Sequence, residues 1–179
     1  MLPPGHIAGG FLTAYGIIKL THPQLAPSQI NHLFWFGVVF GFLPDMDMFV
    51  WFFKRKSFYP NATREDNHRQ SIFHYPLVWL LAGIAIYFLS ATAYGKTAGL
   101  IVWLASWSHF VLDSIEFGIR WLWPFSSKFY ALKSRTHEDF GNVGFFRHWY
   151  RFVKNYFKRA SFYLEIIVIL TALIIYFKF

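Results

Sequence analysis

His109 and Asp113 stand four residues apart in Trp107-Ser108-His109-Phe110-Val111-Leu112-Asp113, where an apolar stretch ends. On a helix that spacing puts an imidazole and a carboxylate on one face, one turn apart. Both groups ligate divalent metals. Both are also groups that hydrocarbon rejects unless they have partners or a task. Residues of the same kind recur at the ends of other apolar stretches. They are His6, Asp45 and Asp47 in Leu43-Pro44-Asp45-Met46-Asp47, His68 beside Arg69, His74, and Glu165.

The elements that must position these groups belong in a membrane. The chain has 179 residues, 55% hydrophobic and 23% aromatic, with 15% charged. Soluble domains carry more charge and fewer aromatics, so the balance indicates one integral membrane domain over residues 1–179. The chain has 0 cysteines, which excludes disulfides and thiolate metal sites. Its net charge of +8 fits basic cytoplasmic loops. Met1-Leu2-Pro3-Pro4-Gly5-His6 has neither the basic region nor the cleavage site of a signal peptide.

About five membrane segments are expected: His6 to Leu20, His32 to Leu43 with an apolar tail Met48 to Phe53, His74 to Tyr94, Ala98 to Ile119, and Ser161 to Phe177. The first is rich in Gly and Ala, which suits close helix packing. Two long polar loops, Lys54 to Phe73 and Arg120 to Arg159, hold all the Lys and Arg except Lys19, Lys96 and Lys178. The positive-inside rule places both loops, and the N-terminus, in the cytoplasm. This topology rests on Lys and Arg alone. It nevertheless gathers His6, Asp45, Asp47, His68, His74, His109 and Asp113 at one membrane level, with Glu165 nearby.

Taken singly, each has a plainer explanation. Asp45 and Asp47 are also a turn and a helix cap. His109 and Asp113 are also a hydrogen-bonded pair between helices, Glu165 a structural partner of an Arg or His, and Arg69 a positive-inside residue. His22, His32, His137 and His148 are assigned no role. As a set, seven N/O ligands exceed one tetrahedral zinc. They suit two divalent ions with a bridging carboxylate, zinc first, manganese or iron as alternatives. Such a pair activates water and clamps a phosphate. Arg69 is then a bidentate phosphate contact.

Residues Phe145 to Arg159 form a separate pattern. Arg147, His148, Arg151, Lys154, Asn155, Lys158 and Arg159 alternate with Phe145, Phe146, Trp149, Phe152, Val153, Tyr156 and Phe157 at helical spacing. This is a basic amphipathic helix suited to a cytoplasmic membrane surface, with lipids as partners. Nucleic acid is not expected, since nothing else in the chain reads as a nucleic-acid module.

His6 with Gly9-Gly10, Leu43-Pro44-Asp45-Met46-Asp47, His68-Arg69 with His74, then His109 and Asp113, resemble the membrane-bound metal-dependent hydrolase family. This is a bacterial inner-membrane group with a LexA-regulated member. Leu122-Trp123-Pro124-Phe125-Ser126 is similar to that family's segment after its His-x-x-x-Asp helix. The resemblance spans about residues 6 to 130. It implies distant kinship with zinc-dependent phospholipase C and the P1-type nucleases. It also implies metal roles for His6, Asp45, His68, His74, His109 and Asp113, with Asp47 a further ligand or general base. Gln70-Ser71-Ile72-Phe73 departs from the pattern, where smaller residues are expected near the Arg.

The expectation is an all-α polytopic membrane bundle with a cytoplasmic surface helix. Its function is metal-dependent hydrolysis of a lipid-like phosphoester at the cytoplasmic leaflet, with Asp47 and Arg69 in the reaction. The alternatives are an ion or metal transporter that uses the His/Asp cluster, and a non-catalytic membrane protein with a structural metal.

Overall fold

The computed structural model describes residues 1–55, 68–133 and 145–178, without the side chains of Phe52, Arg55, His68, Phe145 and His148. Lys56, Arg64, Arg135 and His137 of the two polar loops lie outside the described residues. Seven α-helices run in order among them: α1 Pro3–Thr21, α2 Pro27–Phe42, α3 Asp47–Arg55, α4 Pro76–Leu89, α5 Ala93–Asp113, α6 Phe145–Tyr156 and α7 Ala160–Lys178. No strand occurs among the described residues; Ile119 and Tyr130 form one isolated antiparallel bridge.

Local chemistry sets the helix boundaries. Proline occupies the first turn of α1, α2 and α4, where its missing N–H costs nothing. α1 closes on His22, which adopts the left-handed conformation at φ 41° and returns its N–H to Ile18 O. α2 runs into a 3-10 turn, Leu43–Met46, at Pro44.

Two boundaries differ from expectation. The third segment does not continue to Tyr94: α4 ends at Leu89, and Thr92 caps a new helix by accepting from the Gly95 N–H. The fourth segment stops at Asp113, not Ile119. The chain there turns through Gly118, whose φ of +85° suits glycine.

α1 pairs with α2 and α4 with α5; α5 also packs on α1 and α2, and α7 on α1. Ala14, Ile17, Ile18, Leu33, Ala98, Ile101 and Ala105 form one buried cluster among α1, α2 and α5. Trp79, Val102, Phe110 and Ile119 form a second.

Of the expected membrane segments, two runs are long and apolar enough to cross a bilayer: Pro27–Trp51 with 25 residues and Ala160–Lys178 with 19. α4 is equally apolar but has only 14 residues. α1 and α5 have the length, at 19 and 21 residues, but Gly, Ser and Thr dilute them.

Those glycines serve close packing. A methyl group at Gly41 would sit 2.5 Å from His6 O and 2.8 Å from Gly10 Cα; one at Gly37 would sit 2.5 Å from Gly10 O. α4 and α5 meet in the same way, with a methyl at Gly83 falling 2.6 Å from Gly99 O. Gly16 has nothing within 4 Å of such a methyl. Gly41→Ala is therefore expected to cost about 1–3 kcal/mol through overpacking. Gly16→Ala should leave the thermal midpoint in detergent unchanged or slightly raised, and comparison of the two midpoints checks the seam.

Candidate metal centre

Five helix ends converge at one end of the bundle, and each brings a polar side chain. The start of α1 brings His6, the 3-10 turn after α2 brings Asp45, and the head of α3 brings Asp47. The turn Ile72–His74 before α4 brings His74, and the last turn of α5 brings His109 and Asp113. His6, His74, His109 and Asp113 are fully buried, and Asp45 and Asp47 nearly so.

Asp45, His74, His109 and Asp113 each offer a ligand atom within 4.8 Å of the others. Asp45 Oδ1 lies 3.5 Å from His109 Nε2 and 3.6 Å from His74 Nε2. Its Oδ2 lies 3.9 Å from His6 Nε2, which is 3.3 Å from Asp113 Oδ1. Asp113 Oδ2 lies 3.9 Å from His109 Nε2. The His6 and His109 rings stack with centroids 3.8 Å apart. Ligands held about 2.0–2.2 Å from a tetrahedral ion are about 3.3–3.6 Å from each other. The separations within the cluster match that or exceed it slightly. Both nitrogens of His6 and Nε2 of His109 are buried without a hydrogen-bond partner; a metal would relieve that cost at the two Nε2 atoms, which face the carboxylates.

The tautomers are set from behind. His109 Nδ1 donates to Gly41 O at 2.9 Å, and His74 Nδ1 pairs with Asp47 Oδ2 at 2.8 Å. Both Nε2 atoms therefore face Asp45. A carboxylate or carbonyl behind a ligating histidine is the usual orienting arrangement in metal sites. Burial lowers the basicity of His74, but the adjacent carboxylates of Asp45 and Asp47 outweigh it and hold its pKa up at about 9.

Every predicted site residue with a described side chain is brought to this end of the bundle, though not all in one layer. Asp47 stands one layer back, on His74. Arg69 stands beside the cluster, its Nε donating to Asp113 Oδ2 at 2.7 Å and its guanidinium over the Phe117 ring at 4.7 Å. His68 opens the turn His68–Gln70, and its side chain lies outside the described residues. The bulky stretch before His74 does not crowd the centre. Ile72 and Phe73 point outward, 56% and 44% exposed, while the Phe73 and Gln70 carbonyls accept from Trp79 and Tyr75. Trp123 stacks on Tyr75 at 4.2 Å, so the Leu-Trp-Pro-Phe segment braces this turn.

Sequence reasoning did not assign the supports. Glu165 pairs with backbone and not with an Arg or His: its Oε1 accepts from the Gly5 N–H at 3.0 Å and its Oε2 from Leu2 N–H at 3.5 Å. It thereby caps α1, whose own N-cap residue has no polar side chain. Tyr156 also donates to Glu165. Burial, and then this hydrogen bond, push the Tyr156 hydroxyl above its ordinary range, so it stays a donor. The Met1 ammonium donates to Asp113 Oδ1 at 2.9 Å. The Gly41 carbonyl, like these groups, leaves no periodic trace. The spacing of Gly37 and Gly41 was the available signal.

Two outcomes follow. Glu165→Ala takes the acceptor from the buried Tyr156 hydroxyl and leaves the Gly5 N–H only its second acceptor, Leu2 O, and should cost about 1–3 kcal/mol. It should weaken metal binding about 10–100-fold by releasing His6, whereas Glu165→Gln, which keeps an acceptor oxygen, should be milder; thermal melts and metal titration calorimetry check both. A metal held at His74 would compete with its proton, so affinity should rise with pH up to about 9, with protons released on binding. Titrations in buffers of different ionisation enthalpy read that release.

No curated protein and no solved structure matches the chain. A family model does, and its match extends from the first residue to the last, across all the helices that carry the cluster. On that match over residues 1–179, the chain belongs to the YdjM inner membrane protein family.

Proposed function

We propose that this inner-membrane protein holds divalent metal in the His/Asp cluster and hydrolyses a phosphoester, lipid-like in character, at the cytoplasmic leaflet. The observation that carries the reading is the set of buried Nε2 and carboxylate atoms converging at ligand separations. Asp45, whose oxygens approach His74, His109 and His6, would hold bound metal together with those histidines and Asp113. Bound metal would supply Lewis acidity and a water of lowered pKa; zinc, manganese and iron(II) all suit an N/O donor set. Asp47 holds the His74 ring. Arg69 aligns Asp113 through its Nε–H, and its charge would stabilise an anionic group arriving at the cluster. Asp45 and Arg69, each 7% exposed, are the most exposed of the described side chains of the site.

The proposed topology has five membrane segments, α1, α2, α4, α5 and α7, with the cluster and the basic loops in the cytoplasm. The gathering of the starts of α1, α4 and α7 with the ends of α2 and α5 supports it, since alternating spans bring those ends to one face.

The test is metal analysis of protein purified in detergent, followed by a screen of phosphate monoesters, diesters and phospholipids. About one to two ions per chain are expected, with turnover and metal both lost in Asp113→Ala. Wild-type protein that stays metal-free when supplied with zinc, manganese or iron would sink the proposal. The near-complete burial of the cluster favours a second reading, a structural metal. In that case chelation lowers the thermal midpoint and no substrate turns over. Transport is the weaker alternative, because the far halves of the helices carry few polar side chains; metal uptake into proteoliposomes would establish it.

A further inference from the structure

α6 departs from a two-faced amphipathic helix. At about 100° per residue its side chains, continued by Phe157 and Lys158 of the turn that follows, fall into three stripes. Trp149, Phe152 and Tyr156 form the inner stripe, with Tyr156 buried and the other two half-buried. Arg147, Arg151, Lys154 and Lys158 form an exposed basic stripe. Between the two lies an apolar stripe that the core does not take up: Phe146, Tyr150, Val153 and Phe157, at 86%, 67%, 40% and 52% exposure.

The orientation of α6 is fixed at its C-terminal end. Tyr156 donates to Glu165 of α7, and buried Arg159 lies 3.5 Å from Glu116 Oε2. Only residues 157–159 separate α6 from α7, one of the two runs apolar enough to cross a bilayer. α6 therefore lies at the level where α7 enters the membrane. No other helix covers it along its length among the described residues. Residues 145–159 contain no Asp or Glu.

We propose that α6 is a docking surface for anionic phospholipid. The Phe146–Tyr150–Val153–Phe157 stripe enters the acyl boundary, and the Arg147–Arg151–Lys154–Lys158 stripe lies along the phosphate plane. Each half of the surface requires the other. The apolar stripe needs a non-aqueous medium, and the basic stripe selects one whose surface is negative. A protein groove would satisfy the first stripe without using the charge of the second. The surface does not depend on whether the neighbouring cluster is catalytic.

The absence of cysteine allows a direct test. Tyr150→Cys carries an environment-sensitive fluorophore in the full chain, reconstituted in nanodiscs of phosphatidylcholine alone or with phosphatidylglycerol at about one part in three. Quenching by neutral acrylamide, and by lipids brominated in the acyl chain, reports exposure and depth. Adding phosphatidylglycerol should cut acrylamide quenching at least threefold and raise bromolipid quenching. High salt, or the further changes Arg147→Gln, Arg151→Gln and Lys154→Gln, should reverse both. Equal quenching in the two lipid compositions overturns the proposal, as does shielding that follows the number of chains per disc, which would mean a second copy covers the stripe. The composition comparison needs only the labelled chain, so it decides even if the triple variant does not fold.

Discussion

A carboxylate with no exposed surface sits at the end of an apolar bundle, and the surrounding architecture answers its charge. Removing such a group from water costs several kcal/mol unless opposite charge and hydrogen bonds replace the solvent. Asp113 obtains them from two parts of the chain: the Met1 ammonium at the start of α1, at 2.9 Å, and Arg69 Nε at 2.7 Å. None of these partners is on α5. The start of α1 and the turn at His68–Gln70 must therefore both be in place before α5 can bury its end. The cluster that suits a metal thus also orders the bundle.

The glycine seam makes that gathering possible. Gly41 is close enough to α1 that a methyl group would meet His6 O, and its own carbonyl accepts from His109 Nδ1. One residue without a side chain sets the distance between two helices and the tautomer of a histidine on a third. Small residues at helix crossings are the ordinary means of close packing in membranes, and here the same crossing orients a histidine of the cluster.

Much of this was legible beforehand, and the reasons are physical. Lys and Arg report membrane sidedness, so counting them placed His6, Asp45, His74, His109 and Asp113 at one level without any three-dimensional information. Apolar runs marked the helices, though not where they stop: the Ser90–Thr92 break and the turn after Asp113 depend on local capping and on Gly118, which hydropathy does not register. The layering of the site was not legible either. Asp45 and Asp47 are two residues apart and chemically identical, and only the fold puts one among the Nε2 atoms and the other behind His74. Glu165 read as an ionic partner because a carboxylate in a span invites a cation. Its actual partners are the Tyr156 hydroxyl and backbone N–H groups, which every residue but proline carries and which no sequence pattern distinguishes.

The contact between Glu165 and Gly5 joins the last helix to the first. It bears on the order of synthesis. α1, with His6, is synthesised before α7, which carries the group that caps its start. A nascent chain holding α1 to α5 therefore has most of the ligand atoms without the group that fixes one wall of the site. Full assembly of the cluster becomes a late event in biogenesis, complete only once the bundle has closed.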